Sequence, residues 1–486
     1  MAEAAAARIE GKSIKADEAA TPPPAEADET EVALYEVSKK IYPRAVHGLF
    51  AAWRWALVWL TQIVFYGLPW LVWNDRQAVL FDLAARKFYI FGLVLWPQDF
   101  IYLTLLLVIA ALSLFLFTTL AGRLWCGYAC PQTVYTEIFL WVEQKIEGGR
   151  LARMRLDQAA ADPRKLALKS AKHAIWIAIA LWTGLTFVGY FTPIRELLSA
   201  VGGFSTGPWE TFWFLFYGFA TYGNAGWMRE QVCKYMCPYA RFQGVMFDRD
   251  TLIVTYDPAR GEPRGSRSRK LDRKAAGLGD CVNCDMCVQV CPTGIDIRDG
   301  LQYECIGCAA CIDACDQVMD RMGYPKGLIR YSTENAIEQG FTPAQMKHRV
   351  LRTRVFVYAG ILVSVVAALF VALYVRVPLK VEVLADRGSL TREVEGERLE
   401  NVYRLRISNT QEMSHHYRIN ASGIDTLTVA SEAEVEVPPA TTRVFPMRLR
   451  IDPGVASKGS HRIEVEVHAR DNHRISAREK AVFLVR

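Results

Sequence analysis

Eight cysteines fall within 35 residues, in a run that repeats: Cys281-x-x-Cys284-x-x-Cys287-x-x-x-Cys291-Pro292, then Cys305-x-x-Cys308-x-x-Cys311-x-x-x-Cys315. Thiols at this density are not a packing device. Three thiolates two residues apart can wrap one corner of a cubane, and a fourth, followed by a chain-turning proline, can leave for a partner cube. Two copies of such a run are the ligand set of two [4Fe–4S] clusters, each run's fourth cysteine serving the other cluster. This assigns Cys281, Cys284, Cys287 and Cys315 to one cluster, and Cys305, Cys308, Cys311 and Cys291 to the other. Zinc also uses C-x-x-C pairs, but in separated pairs rather than a duplicated three-plus-one run. At Cys315 the following residue is Asp316 instead of proline, which loosens the expected turn and removes no ligand.

The rest of the 486-residue chain is uneven. Residues 1–30, rich in Ala, Glu and Pro, read as a disordered tail within an N-terminal cytoplasmic segment 1–48. They lack the pattern of a signal peptide. Five segments are apolar enough to span a bilayer, which takes about 20 residues: Phe50–Trp73, Phe100–Leu120, Ala174–Phe191, Thr211–Met228 and Val355–Val375. The fourth is the weakest, being short and holding Tyr222 and Asn224. Arg54, one turn inside the first, can snorkel to the interface. Tryptophans near the segment ends suit an aromatic belt.

Lys and Arg set the orientation. The stretch 121–173 holds nine of them and 229–353 more, against three between Trp73 and Asp99 and Arg195 alone between the third and fourth spans. The N-terminus and the eight-cysteine stretch are therefore expected in the cytoplasm, and residues 376–486 outside. All twelve cysteines precede residue 316, so the thiols fall on the reducing side and a cysteine-free end on the oxidising side. The net charge of +6 and the Arg260–Lys274 cluster fit a positive-inside flank better than nucleic-acid binding.

Residues 376–486 alternate polar and apolar positions, as in Ile463-Glu-Val-Glu-Val and Ala481-Val-Phe-Leu-Val. About seven short strands predict an antiparallel sandwich. Met413, His415 and His416 could ligate a metal there, although a loop without that role is the simpler reading.

Four more cysteines form a second pattern. Cys126-Gly-Tyr128-Ala-Cys130-Pro131 recurs 107 residues later as Cys233-Lys-Tyr235-Met-Cys237-Pro238, each time just past a span. Spans one–two and three–four then read as parallel repeats. Cysteines at i and i+4 share a helix face. Proline suits the first turn of a following helix, which would lower the thiol pKa of Cys130 and Cys237. Convergence of Cys126, Cys130, Cys233 and Cys237 would make a site for a soft metal, Cu(I), zinc or iron–sulfur. Four small buried residues at helix ends are the alternative.

The fold that follows is a five-helix transmembrane bundle with an inserted bacterial two-cluster ferredoxin-like α+β domain and a C-terminal all-β sandwich. Its parts are 49–240 (four spans and both CxxxCP motifs), 241–353 (ferredoxin domain with Arg-rich linker), 354–375 (fifth span) and 376–486. The stretches Lys40–Arg44, Trp73–Asp82, Phe91–Asp99, Gly122–Glu137 and Gly189–Arg195 resemble the cytochrome c oxidase accessory family that includes CcoG, FixG and RdxA. The resemblance implies a bacterial inner-membrane protein with two [4Fe–4S] clusters and an immunoglobulin-like periplasmic domain. It also implies reduction of Cu(II) to Cu(I) for assembly of a cbb(3)-type oxidase, with the copper exporter and its chaperones as partners and Cys126, Cys130, Cys233 and Cys237 as the copper or redox site. An electron donor, protein or quinol, is required, because no dinucleotide fingerprint is present. Quinol-linked electron transfer to another partner, and a non-redox assembly scaffold, compete with metal reduction.

Overall fold

The computed structural model describes residues 40–271, 276–385, 391–472 and 474–485. The expected N-terminal tail and positions 272–275 of the basic linker lie outside them. Among the described residues four helical stretches are long and apolar enough to cross a membrane: Leu49–Trp70, Pro97–Ala121, Pro163–Val188 and Thr353–Val375. Within them run the α-helices α1 (Leu49–Gly67), α2 (Phe100–Ala121), α5 (Pro163–Val188) and α10 (Thr353–Val375). The remaining expected span is different. It is a 15-residue helix, α6 (Pro208–Tyr222), that continues as a π-helical segment, Gly223–Met228. At about 1.5 Å per residue α6 alone covers about 22 Å, less than the bilayer core. Gly223 and Asn224 are poor α-formers, and the change of winding begins at them.

The helices pack in pairs. Tyr102 of α2 donates to the Ala372 carbonyl of α10 at 3.2 Å. α5 and α6 touch at glycines: a Cβ on Gly184 would lie 2.4 Å from the Phe214 carbonyl oxygen and 2.9 Å from the Gly218 nitrogen. Small residues let helix backbones approach where water gives no driving force.

At one end of the helices lie a small sheet and the C-terminal sandwich. Residues 74–99, expected as loop, instead fold β1 (Val79–Asp82), β2 (Lys87–Ile90) and β3 (Leu93–Leu95) into an antiparallel sheet. Asp99 at the foot of α2 accepts from Arg376 at 2.9 Å and Lys380 at 2.6 Å, tying the sandwich to the bundle. Trp73 and Arg76 both reach Glu412.

The described residues of the sandwich form nine strands where about seven were expected: β6 (Leu379–Ala385), β7 (Arg392–Val394), β8 (Arg398–Asn409), β9 (His415–Ser422), β10 (Thr428–Val429), β11 (Glu434–Val437), β12 (Thr442–Ile451), β13 (Gly459–Ala469) and β14 (Ser476–Val485). One sheet runs β10-β12-β8-β6 with β7 beside β8, the other β11-β9-β13-β14, all antiparallel. The inward alternation of Leu405, Ile407, Tyr417, Val437, Leu449, Val465, Val467 and Phe483 leaves all eight fully buried. His415 is buried too, its Nδ1 2.6 Å from Asp471 and its Nε2 2.5 Å from Gln411, while its neighbour His416 faces out. Strand alternation puts the two imidazoles on opposite faces, which separates the candidate ligands.

At the other end, β4 (Ile253–Tyr256) and β5 (Ile329–Ser332) form an antiparallel ladder around the eight-cysteine stretch, which carries α8 (Met286–Gln289) and α9 (Ala310–Met322). Asp313 of α9 accepts from the amides of Phe50 and Ala51 at 3.2 and 2.7 Å, capping the start of α1 from another element.

Candidate redox site

The eight thiols line two small cavities, each of about 20 Å³. Cys281, Cys284, Cys287 and Cys315 line one; Cys291, Cys305, Cys308 and Cys311 line the other, where Cys287 also shows. The two loops share a backbone. Asn283 and Asp285 flank Cys284 with φ of 51° and 53°, and Gly307 and Ala309 flank Cys308 with φ of 68° and 58°. Left-handed residues on both sides of the middle cysteine curl each loop around its cavity; for Asn, Asp and Ala this conformation is uncommon and strained. Cys291 precedes Pro292 at the end of α8, and the chain turns there. Cys315 lies within α9, so no turn follows it. The helix simply continues, and Asp316 accepts from the Gly327 amide at 2.9 Å.

The residues fit an iron–sulfur group. Apart from thiols the second cavity is walled mostly by apolar side chains such as Val254, Ile295 and Ile297. Burial pushes the thiols of Cys287, Cys305 and Cys315 up to about 12, so bare thiols here are protonated, whereas a coordinated thiol gives up its proton outright. Arg298, invisible as a site residue in the sequence, lines the first cavity and bonds Asp296, Asp285 and Asn283.

The other four thiols also converge. Cys126 lies in α3 (Leu124–Tyr128), and Cys233 in a π-helical segment, Val232–Met236. Cys130 and Cys237 are extended, with ψ of 129° and 108°, and Pro131 and Pro238 open α4 (Pro131–Glu147) and α7 (Pro238–Met246). The cysteines of each pair therefore do not share one helix face, as i,i+4 spacing suggested. A residue before proline avoids the α region, and the helix breaks between them. Nor does the helix start lower Cys130. Burial raises its pKa, the Gln132 and Thr133 amides opposing it only in part. Burial likewise pushes Cys126 up to about 11, and Cys233 to about 12 with Cys130, Cys126 and Cys237 adding as charged neighbours. Among the described residues no three Cys, His, Asp or Glu side chains stand at single-ion ligand distance. A mononuclear ion would have to draw the quartet inward.

The two motifs pack reciprocally. Two residues after Cys130, Gln132 donates to the Asn224 and Arg229 carbonyls at 2.9 and 3.0 Å, just before the second motif. Two residues after Cys237, the Tyr239 hydroxyl lies 2.6 Å from Thr118 Oγ1, just before the first. Gln243 of α7 receives the Cys126 thiol at 3.4 Å.

Quartet and second cavity share a backbone contact. A Cβ on Gly127 would lie 2.8 Å from the nitrogen and Cα of Cys308 and from the Ile306 carbonyl oxygen. Across the same seam Gly307 lies against Arg123, whose Nη2 donates to the Ala240 carbonyl at 2.6 Å and whose guanidinium sits 4.7 Å from the Tyr303 ring centre. Tyr331 donates to the Gly307 carbonyl at 2.6 Å and touches Tyr128 at 3.3 Å, and Arg54 donates to the Cys308 carbonyl at 3.1 Å. Arg123 and Gly127 were unmarked by the sequence reading; a lone arginine between an apolar span and a thiol motif was the available signal.

Comparison with known proteins gives the family. A family described as a 4Fe-4S dicluster domain matches residues 228–334, and one described as a 4Fe-4S binding domain matches 103–148. A third, an IG-like fold at the C-terminal of FixG, matches 369–486. Protein RdxA of Cereibacter sphaeroides is 39% identical over 428 residues, covering 86% of this chain and 90% of RdxA. Protein RdxB of the same organism is 39% identical over 89% of this chain and 92% of RdxB. The nitrogen fixation protein FixG of Rhizobium meliloti is 41% identical over 73% of this chain and 74% of FixG. With its apolar helices, its clustered thiols and these relatives, the chain belongs to the FixG/RdxA family of membrane iron–sulfur proteins.

Proposed function

We propose that the protein transfers single electrons at the inner face of the bacterial inner membrane and reduces Cu(II) to Cu(I) at Cys126, Cys130, Cys233 and Cys237, supplying Cu(I) to an exporter or chaperone for assembly of a cbb(3)-type oxidase. The observation that carries this reading is the seam at Gly127, where the backbone of one thiol motif meets that of Cys308. Cys281, Cys284, Cys287 and Cys315 are the ligands of one [4Fe–4S] cluster, and Cys291, Cys305, Cys308 and Cys311 of the other. When bound, the clusters supply one-electron redox chemistry. The chain does the rest. Soft thiolates favour Cu(I) over harder ions, so the quartet stabilises the product of Cu²⁺ + e⁻ → Cu⁺. Arg54 holds the Cys308 carbonyl, and Arg123 pins the seam between the two thiol systems.

In this reading α6 and its π-helical extension form a fifth crossing. The Lys- and Arg-rich end with the thiols is cytoplasmic, and the immunoglobulin-like sandwich is periplasmic. Anaerobically reduced protein should convert Cu(II) to Cu(I), read with a Cu(I)-selective chelator, at least tenfold faster than a Cys126→Ala/Cys233→Ala variant. Equal rates would remove the quartet from the mechanism.

A second reading draws on the match of residues 103–148, which include Cys126 and Cys130, to a 4Fe-4S binding family. There the quartet holds a third cluster. Iron analysis separates the two: about eight irons per chain for the copper site, about twelve for the third cluster.

A further inference from the structure

A cavity of about 430 Å³ lies where α1 begins, between α4 and the loop of the second thiol cavity. That is the size of a small-molecule site and many times the share of one water. Neither a copper ion nor an iron–sulfur cluster accounts for it. Thr293, Ile306, Cys308 and Ala310 line both this cavity and the second thiol cavity, so a single wall separates them. Cys233 of the quartet also lines it.

Its lining is amphipathic. Trp55 and Trp141 meet edge to face at 6.3 Å, beside Leu140. Trp141 is 47% exposed, and Trp53 and Trp59 of α1, the helix that carries Trp55, turn outward, so this side opens toward lipid. The polar side holds Arg54 and Arg153, only 7% and 3% exposed. The Nε of each is buried and donates to nothing. Glu137 completes the set, 3.9 Å from Arg54. Buried donors without acceptors are costly, and a ligand carrying oxygen acceptors would satisfy them.

We infer that this cavity binds the head group of a membrane quinol, the donor whose electrons are used at the quartet; the role of donor rests on the function proposed above. Oxygens of the ring accept from Arg54 and Arg153, the ring lies against Trp55 and Trp141, and the isoprenoid tail leaves past Trp141 into the bilayer. Oxidation breaks two O–H bonds, QH₂ → Q + 2H⁺ + 2e⁻. The protons pass to Glu137 and Glu230 on the lining, and the two electrons would be taken one each by the two iron–sulfur groups that the eight cysteines would hold beyond the Cys308 wall. An anionic lipid would satisfy the arginines equally, but it gains nothing from two tryptophans or from contact with a redox ligand.

The test uses the full-length protein, anaerobic and with its clusters, in zwitterionic-lipid nanodiscs. Decyl-ubiquinone should quench tryptophan fluorescence saturably, and an azido-quinone should crosslink to peptides containing Trp55 or Trp141. Arg54→Gln, which removes a donor to the ring oxygens, should weaken quenching about tenfold. Leu140→Trp, which fills the cavity, should abolish both signals. Iron content and circular dichroism of each variant show whether it has folded. Absence of quenching and crosslinking in the parent, or quenching unchanged in folded Leu140→Trp, overturns the inference. So does a site that takes anionic lipid and is indifferent to quinone. Quinone binding without dithionite-driven copper reduction would sink the proposed function and leave the site standing; copper reduction without quinone binding would do the reverse.

Discussion

The thiol-bearing end and the sandwich end of this molecule are stabilised by different physics. The sandwich buries chain against chain: Leu405, Ile407, Val465 and Phe483 have no exposed surface, and its core is continuous across two sheets. The thiol end buries cysteines around two spaces that the chain does not fill, with left-handed residues in both loops. It also buries charged pairs, Glu143 with Arg229 at 2.6 Å and Glu147 with Lys172 at 2.9 Å. Such pairs add less to stability than apolar packing of the same volume. One end is filled by its own side chains, and the other keeps two thiol-lined spaces open.

The largest effect should come from iron removal. Chelation under reducing conditions should abolish the thermal transition of the thiol end and leave that of the sandwich, seen as two separate calorimetric events; one shared transition, lost as a whole, would break the contrast. Next comes Phe483→Ala, which should cost the sandwich about 3–5 kcal/mol and leave iron content unchanged. Gly127→Val drives a side chain into the Cys308 backbone and should cost about 1–3 kcal/mol at the seam. It should also slow copper reduction with all iron retained, since contact rather than ligation is lost. Asp313→Ala removes the cap of α1 and should lower stability of the thiol end by about 0.5–2 kcal/mol, measured by chemical denaturation.

The smallest effect is a pH dependence confined to the sandwich. Burial alone would raise the carboxyl of Glu400, but hydrogen bonds from Arg450 and Arg392 outweigh it and hold it below the ordinary range. Its contribution is therefore complete above about pH 4.3 and is lost as pH falls through the lower folded value. Glu400→Gln should flatten that acid limb of the sandwich melting temperature without touching the thiol end. An unchanged acid limb would mean that Glu400 does not set it.

Legibility in the sequence followed the range of the interactions. Cysteine spacing was local and specific, so which thiols share a cavity could be read before any fold was known. Strand alternation gave the sandwich, with about seven strands where the described residues form nine. The sheet β1–β3 was read as loop because its strands are three or four residues long. Proline marked where α4 and α7 begin, yet the same rule, applied to the residue before it, contradicts a shared helix face for Cys126 and Cys130. The pKa expectation failed at Cys130 because burial, a property of the whole packing, outweighed the helix terminus.

By itself the sequence determined the chemistry of this protein: which residues are thiols, at what spacing, and which segments are apolar enough to lie in lipid. Only the tertiary structure decided what those thiols face. The seam between Gly127 and Cys308 and the cavity under Trp55 and Trp141 join residues far apart in the chain, through contacts that leave no periodic trace in it. Spacing encodes ligation because neighbouring residues move together; it cannot encode the approach of two distant loops, which is set by how all the elements between them pack.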